Sequence, residues 1–93
     1  MILTFGDPET EKIYNQVKSK KLPPDIQNRA LVKLLMIDAA TVEMDFRSPP
    51  SNRFEHLQGA LKEFCSIRIN EQWRLQFRFK DGDAFDVSIV DYH

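Results

Sequence analysis

A chain of 93 residues and 10.9 kDa has room for one domain and not two, since compact domains most often run to roughly 100–150 residues. A composition that is 42% hydrophobic and 29% charged excludes a disordered chain on one side and a membrane-embedded one on the other. A net charge of −1 with a pI near 6.1 removes bulk electrostatic attraction as a reason to bind nucleic acid. At this length the core is modest, which puts any polar chemistry in a surface groove. The single cysteine, Cys65, has no internal partner, and Met1-Ile2-Leu3-Thr4 opens no signal peptide, so the expected compartment is the cytoplasm. No apolar run approaches the roughly 20 residues of a spanning helix.

Ile2 to Phe5 reads as a short opening strand, and Asp7-Pro8-Glu9 reads as N-cap, first helical residue and first-turn acid. The spacing predicts a helix from about Pro8 to Lys20, burying Ile13, Tyr14 and Val17 and carrying Lys18, Lys20 and Lys21 at its C-terminal end. Leu22-Pro23-Pro24 stops it, and a second helix is expected from Pro24 or Asp25 to about Ala40. Its stripe is Ile26, Ala30, Leu34 and Ile37 or Asp38, widened by Leu31 and Leu35. The two helices would form an antiparallel hairpin. Asp45 to Arg53, with Ser48-Pro49-Pro50-Ser51-Asn52 inside it, is a surface loop. From Phe54 the hydrophobic period falls to two, giving four strands at Phe54–Leu57, Phe64–Ile69, Trp73–Phe79 and Phe85–Tyr92 in an antiparallel meander. The expected class is α+β, a single domain over residues 1–93.

Charge is uneven along the chain. Residues 53 to 80 hold Arg53, Lys62, Arg68, Arg74, Arg78 and Lys80 against Glu55, Glu63 and Glu71, whereas the last residues hold four aspartates and no Lys or Arg. Small domains often show such unevenness, so spacing must decide whether it matters. In the third strand Trp73, Leu75, Phe77 and Phe79 alternate with Arg74, Gln76, Arg78 and Lys80, so one face is apolar and the other basic. Setting Phe85, Val87 and Ile89 against Phe79, Phe77 and Leu75 calls for a three- or five-residue loop around Gly82. That register pairs Arg78 with Asp86 and sets Arg74 opposite Val90, diagonal to Tyr92. With Asn70-Glu71-Gln72 as the preceding loop, Arg68 falls directly opposite Arg74. Like charges facing each other in a sheet cost up to about 1 kcal/mol, and neither arginine has an acid opposite it, so the pair wants an anion. Tyr92 and His93 beside them complete a patch suited to holding a phosphodiester and moving a proton. Against this stands the structural reading: Arg78 as an ion-pair partner, Arg53 and Lys80 as solvated edge charges, and Glu55 or Glu63 satisfying Arg68 and Arg74.

Other chemistries find no support. Three glycines form no phosphate loop, one Cys and two His form no metal cluster, and there is no serine elbow. No metal or nucleotide cofactor is indicated.

Three separated segments resemble a known family: Arg47-Ser48-Pro49-Pro50-x-Asn52-Arg53-Phe54-Glu55-x-Leu57-x-Gly59, Ser66-Ile67-Arg68-Ile69-Asn70-x-Gln72-Trp73-Arg74-Leu75, and Val90-Asp91-Tyr92-His93. They are similar to the HigB-type toxins of the RelE/ParE superfamily from bacterial type II toxin-antitoxin systems, in particular a GraT-like subgroup. Leu34-x-x-Ile37-Asp38-Ala39-Ala40-Thr41 fits as well. The resemblance implies a metal-free, ribosome-dependent messenger RNA endonuclease acting in the ribosomal A site on the small subunit. The RNA 2′-hydroxyl would attack its own adjacent phosphate. Carried over to this chain, Arg74 stabilises charge on the phosphate, Tyr92 orients the nucleotide, and His93 is the proton-transfer candidate. Glu55 is an alternative base, and Arg68, Arg53 and Gln58 are RNA or phosphate contacts.

The departures are specific. Gln58 stands where many relatives carry a catalytic lysine, and Glu55 aligns with a histidine found in some. Since an amide neither carries charge nor shuttles a proton, a rate lower by roughly 10²–10⁴ is expected unless another group takes over. His56 is adjacent but points to the opposite face of an alternating strand. The implied partner is a HigA-like helix-turn-helix antitoxin, with DNA engaged only through it. The rival reading is a catalytically weakened binding module that serves as antitoxin partner and co-repressor.

Overall fold

The computed structural model describes residues 1–92. Two helices, α1 (Pro8–Tyr14) and α2 (Pro24–Ala39), pack on an antiparallel sheet of β1 (Glu55–His56), β2 (Cys65–Arg68), β3 (Trp73–Lys80) and β4 (Asp83–Asp91), in the spatial order β1-β2-β3-β4. The architecture is α+β with a meander sheet. The opening segment forms isolated parallel bridges to the outer edge of β4, Ile2 to Ala84 and Phe5 to Val87, and does not make a full strand. It nonetheless covers an edge that would otherwise be open to pairing with other chains.

The helix expected to reach Lys20 ends at Tyr14. Asp7 caps its start, accepting the Thr10 N–H at 2.8 Å, but Gln16 adopts a left-handed φ of 61° that turns the chain out of the helix. The segment beyond is organised by side chains. Ser19 donates to Glu9 at 2.6 Å, while the Gln27 amide donates to the carbonyls of Ser19 and Leu22 and accepts the Ser19 N–H. Lys18, Lys20 and Lys21 therefore sit on a loop, and Val17 is exposed rather than buried. The Thr10 hydroxyl donates to Asp7 and accepts the Ile89 N–H at 2.9 Å, tying α1 to β4.

Helix α2 follows the sequence closely. Ile26, Ala30, Leu34 and Ile37 are buried and Leu31 is half-buried, but Leu35 faces solvent. Asp38 instead accepts the Ile2 N–H at 2.8 Å. The following loop contains two short 3₁₀ turns, Glu43–Arg47 and Pro50–Asn52. Phe46 from the first is fully buried, with ring centroids 4.9–5.6 Å from those of Phe54, Phe77 and Phe79.

The β2–β3 register is as expected: Cys65 opposite Phe77, Ile67 opposite Leu75, Arg68 opposite Arg74. The β3–β4 turn is not. It is a two-residue Asp81-Gly82 turn, with both residues at positive φ (52° and 84°), the conformation that matches strand twist in tight hairpins. The register is corrected further along by a bulge between Gln76 and Arg78, opposite which Asp86 takes a φ of 54°. One extra residue there returns Val87 and Ile89 to the core face. Before the bulge it is Ala84, not Phe85, that is fully buried. Phe85 instead lies against the Arg78 guanidinium, and Arg78 and Asp86 form the expected ion pair at 2.9 Å.

Candidate active site

Strand alternation places Glu55, Ser66, Arg68 and Arg74 on one face, since Glu55 is opposite Ser66 and Arg68 is opposite Arg74. Arg74 is only 5% exposed. Its Nε donates to Ser66 Oγ at 2.9 Å, and Nη2 donates to the carbonyls of Arg53 at 2.6 Å and Ser66 at 3.3 Å. The Arg53 carbonyl reaches it because Arg53 turns left-handed, φ 45°, after the second 3₁₀ turn. Nη1 is left without a protein partner among the described residues. A guanidinium pinned on one edge and open on the other is pre-organised for an anion.

Arg74 has no acid directly opposite it, as expected, and of the two nearby carboxylates considered it is Glu55 whose Oε1 lies 3.8 Å from Arg74 Nε, reaching it from β1 diagonally across β2. Burial lowers the Arg74 pKa; Glu55 and Tyr92 act to raise it, and Arg68 and Arg53 add to the lowering. The group stays charged, because arginine starts far above any working pH. Arg68 has no hydrogen bond or ion pair among the described residues. The Arg74 guanidinium carbon sits 5.2 Å from the centre of the Tyr92 ring, a cation–π distance. Tyr92 is fixed through its backbone, whose N–H donates to the Gln72 carbonyl at 2.6 Å, while the Gln72 amide donates to Asp91 at 3.2 Å. Asn70 holds the hairpin loop by accepting the N–H groups of Gln72 and Trp73.

These groups enclose an open groove of about 290 Å³ lined by Arg53, Arg68, Asn70, Glu71, Arg74 and Tyr92. The structure thus brings Arg74, Arg68, Arg53 and Tyr92 together, with Glu55 at the flank. Gln58 is exposed at the start of a further 3₁₀ turn, Gly59–Leu61, and does not line the groove. His93 lies outside the described residues. His56 points away, its Nε2 2.9 Å from Glu43 and its ring against Phe54. Ser66 and Gln72, which position Arg74 and Tyr92, escape sequence reasoning: a serine alternating with arginines and a loop glutamine carry no signal until the register is known.

Cys65 is buried, and desolvation pushes its thiol up to about 12, so it is no nucleophile. Among the described residues no group of three or more His, Cys, Asp or Glu side chains is placed to hold a metal ion, and no helix is long and apolar enough to cross a membrane.

Residues 3–93 match the model of a family described as RelE-like toxin of type II toxin-antitoxin system HigB. The chain is 48% identical to Toxin HigB-1 of Vibrio cholerae serotype O1 over 88 residues, covering 94% of this chain and 93% of that protein. It is 27% identical to Endoribonuclease HigB of Proteus vulgaris over the full length of both. A Haemophilus influenzae protein of undescribed function is 35% identical over 64 residues, 69% of this chain and 63% of its own. The chain belongs to the HigB-like family of RelE-like toxins of type II toxin-antitoxin systems, a class whose members work against an antitoxin partner.

Proposed function

We propose that this toxin is a metal-free endoribonuclease that cleaves messenger RNA in the ribosomal A site and is held in check by a HigA-like antitoxin. The observation that carries the reading is the buried Arg74, locked by Ser66 and the Arg53 carbonyl, facing Arg68 beside the Tyr92 ring, with neither Arg74 Nη1 nor the Arg68 side chain bonded among the described residues. A phosphodiester in the groove supplies an anion to two opposed guanidiniums whose nearest acid, Glu55, lies at the flank, 3.8 Å from Arg74 Nε. The substrate's 2′-oxygen forms a bond to phosphorus while its proton leaves to a base, and the bond from phosphorus to the 5′-oxygen breaks as that oxygen takes up a proton. The products are a 2′,3′-cyclic phosphate and a 5′-hydroxyl end. Arg74 and Arg68 neutralise charge on the non-bridging oxygens. Tyr92 stacks or orients the nucleotide, Glu55 is the base candidate at the flank, and His93 is the proton-transfer candidate that the family resemblance indicates. Arg53 is a phosphate contact, and Gln58, set away from the groove, contributes at most an RNA contact. The expected compartment of this chemistry is the cytoplasm.

Gln58 favours a second reading, a weakened toxin that only binds its antitoxin. Incubating the purified protein with programmed ribosomes and with free messenger RNA, and mapping 5′ ends, separates the two. Cleavage on ribosomes that falls by about 10²-fold or more in Arg74→Lys and His93→Ala is the expected result. A folded wild-type protein that binds antitoxin but cuts neither substrate establishes the binding module.

A further inference from the structure

A second, larger groove of about 960 Å³ runs between α2 and the β2–β3 loop, at the upper end of the size range of small-ligand sites. Its walls include Arg29, Lys33, Ser51 and Arg68, with Glu71 the one carboxylate among its lining residues. Arg68, Asn70 and Glu71 also line the groove at Arg74 and Tyr92, so the two cavities meet along a shared rim. The Arg29 side chain has no ion pair or hydrogen bond among the described residues. Lys33 donates to Asn52 Oδ1, and Asn52 is itself fully buried, its amide donating to the carbonyls of Phe46 and Ser48. The ammonium is thereby held in place at the groove wall. Burial lowers the Lys33 pKa, and the neighbouring Arg29 charge adds to the lowering.

Resting on the endoribonuclease reading, we infer that this α2-side groove is a second RNA subsite, in which Arg29 and Lys33 hold backbone phosphate of the substrate strand away from the bond that is cut. Arg68 is the hinge between the two, able to contact the strand as it passes from one groove to the other. Two sources of RNA phosphate exist, the message and ribosomal RNA. The shared rim favours the message, because a strand seated at Arg74 and crossing Arg68 reaches a residue that lines both grooves.

The test uses uncleavable 2′-O-methyl RNA without ribosomes, as a dinucleotide and as a nonanucleotide, with binding read by fluorescence anisotropy at low salt. Arg29 lines the α2-side groove and not the one at Arg74, so Arg29→Glu is expected to leave dinucleotide binding unchanged. It should weaken the nonanucleotide by roughly tenfold or more and flatten its salt slope by ~0.7 for each phosphate no longer neutralised. Lys33→Met is expected to act in the same direction, with circular dichroism reporting whether it folds. Equal binding of both lengths by wild type, or equal weakening of both lengths in Arg29→Glu, overturns the subsite. So does Arg29→Glu slowing cleavage on ribosomes with no effect on free RNA, which assigns the groove to ribosomal RNA. A variant that no longer binds antitoxin and keeps RNA assigns it to the antitoxin. If wild-type protein cuts nothing on ribosomes, the endoribonuclease reading fails first and this inference falls with it.

Discussion

Two buried polar residues do opposite work at the groove. Arg74 makes three hydrogen bonds to Ser66 and Arg53 that leave Nη1 without a partner among the described residues, so Ser66 is a positioning residue for it. Asn52 directs all of its capacity to the protein: two loop carbonyls and the Met36 sulfur receive its amide hydrogens, and Lys33 donates to its oxygen. It is the clamp that holds the Phe46 turn against the sheet. Asn52→Ala leaves the buried Phe46 carbonyl without its donor and strands the Lys33 ammonium, and an unsatisfied buried group costs ~1–3 kcal/mol. We expect a destabilisation of about 2–4 kcal/mol in denaturant unfolding and a fall in Tm of ~10 °C or more for a domain of this size. A change within about 0.5 kcal/mol, the range of ordinary surface substitutions, would show that the clamp is dispensable.

At the level of elements, the β3–β4 hairpin shows how two local irregularities cancel. The Asp81-Gly82 turn is too short for the hydrophobic pattern, and the bulge at Asp86 supplies the missing residue. Gly82 is held at φ 84°, and a Cβ there would lie 3.3 Å from the Thr41 carbonyl. Gly82→Ala should therefore cost ~1–2 kcal/mol from the left-handed backbone alone, seen as a drop in Tm of about 4–8 °C per kcal/mol. An unchanged Tm would mean that the turn relaxes to a different type. The same hairpin marks the limit of sequence reading. Alternation in β3 is enough to place Arg68 against Arg74 and Tyr92 beside them, because a sheet has only two faces and burial chooses between them. It cannot reveal a bulge, since one inserted residue at a positive-φ aspartate looks the same in sequence as a longer loop. The overlong α1 has a similar cause: Asn15-Gln16 is no strong breaker, and the loop is built by Ser19 and Gln27, partners eight residues apart. Glu55 is legible as a candidate, but its proximity to Arg74 requires knowing that β1 pairs with β2.

For the molecule as a whole, a net charge of −1 is compatible with RNA binding only because the charges are segregated. The acidic residues of the β3–β4 turn and its bulge lie at one end of the hairpin, where Asp86 pairs with Arg78 and Asp83 lies 3.6 Å from the amino terminus. The other end of β3 carries the two grooves, whose linings contribute Arg53, Arg68, Arg74, Arg29 and Lys33. Net charge governs long-range attraction, which salt screens within roughly 10 Å, whereas counterion release is set by how many phosphates are actually contacted. If those cations are the whole RNA footprint, at most five phosphates are neutralised and each contributes ~0.7 to the slope for a single strand. A plot of log affinity against log salt for the nonanucleotide should then be no steeper than about −3.5, and Arg68→Ala should reduce the slope at either groove because Arg68 serves both. A steeper slope would place phosphates outside the grooves. The exposed Lys18, Lys20 and Lys21 of the α1–α2 loop would then be the first to neutralise, and recovery of the shallow slope in their triple alanine variant would identify them as the added contact.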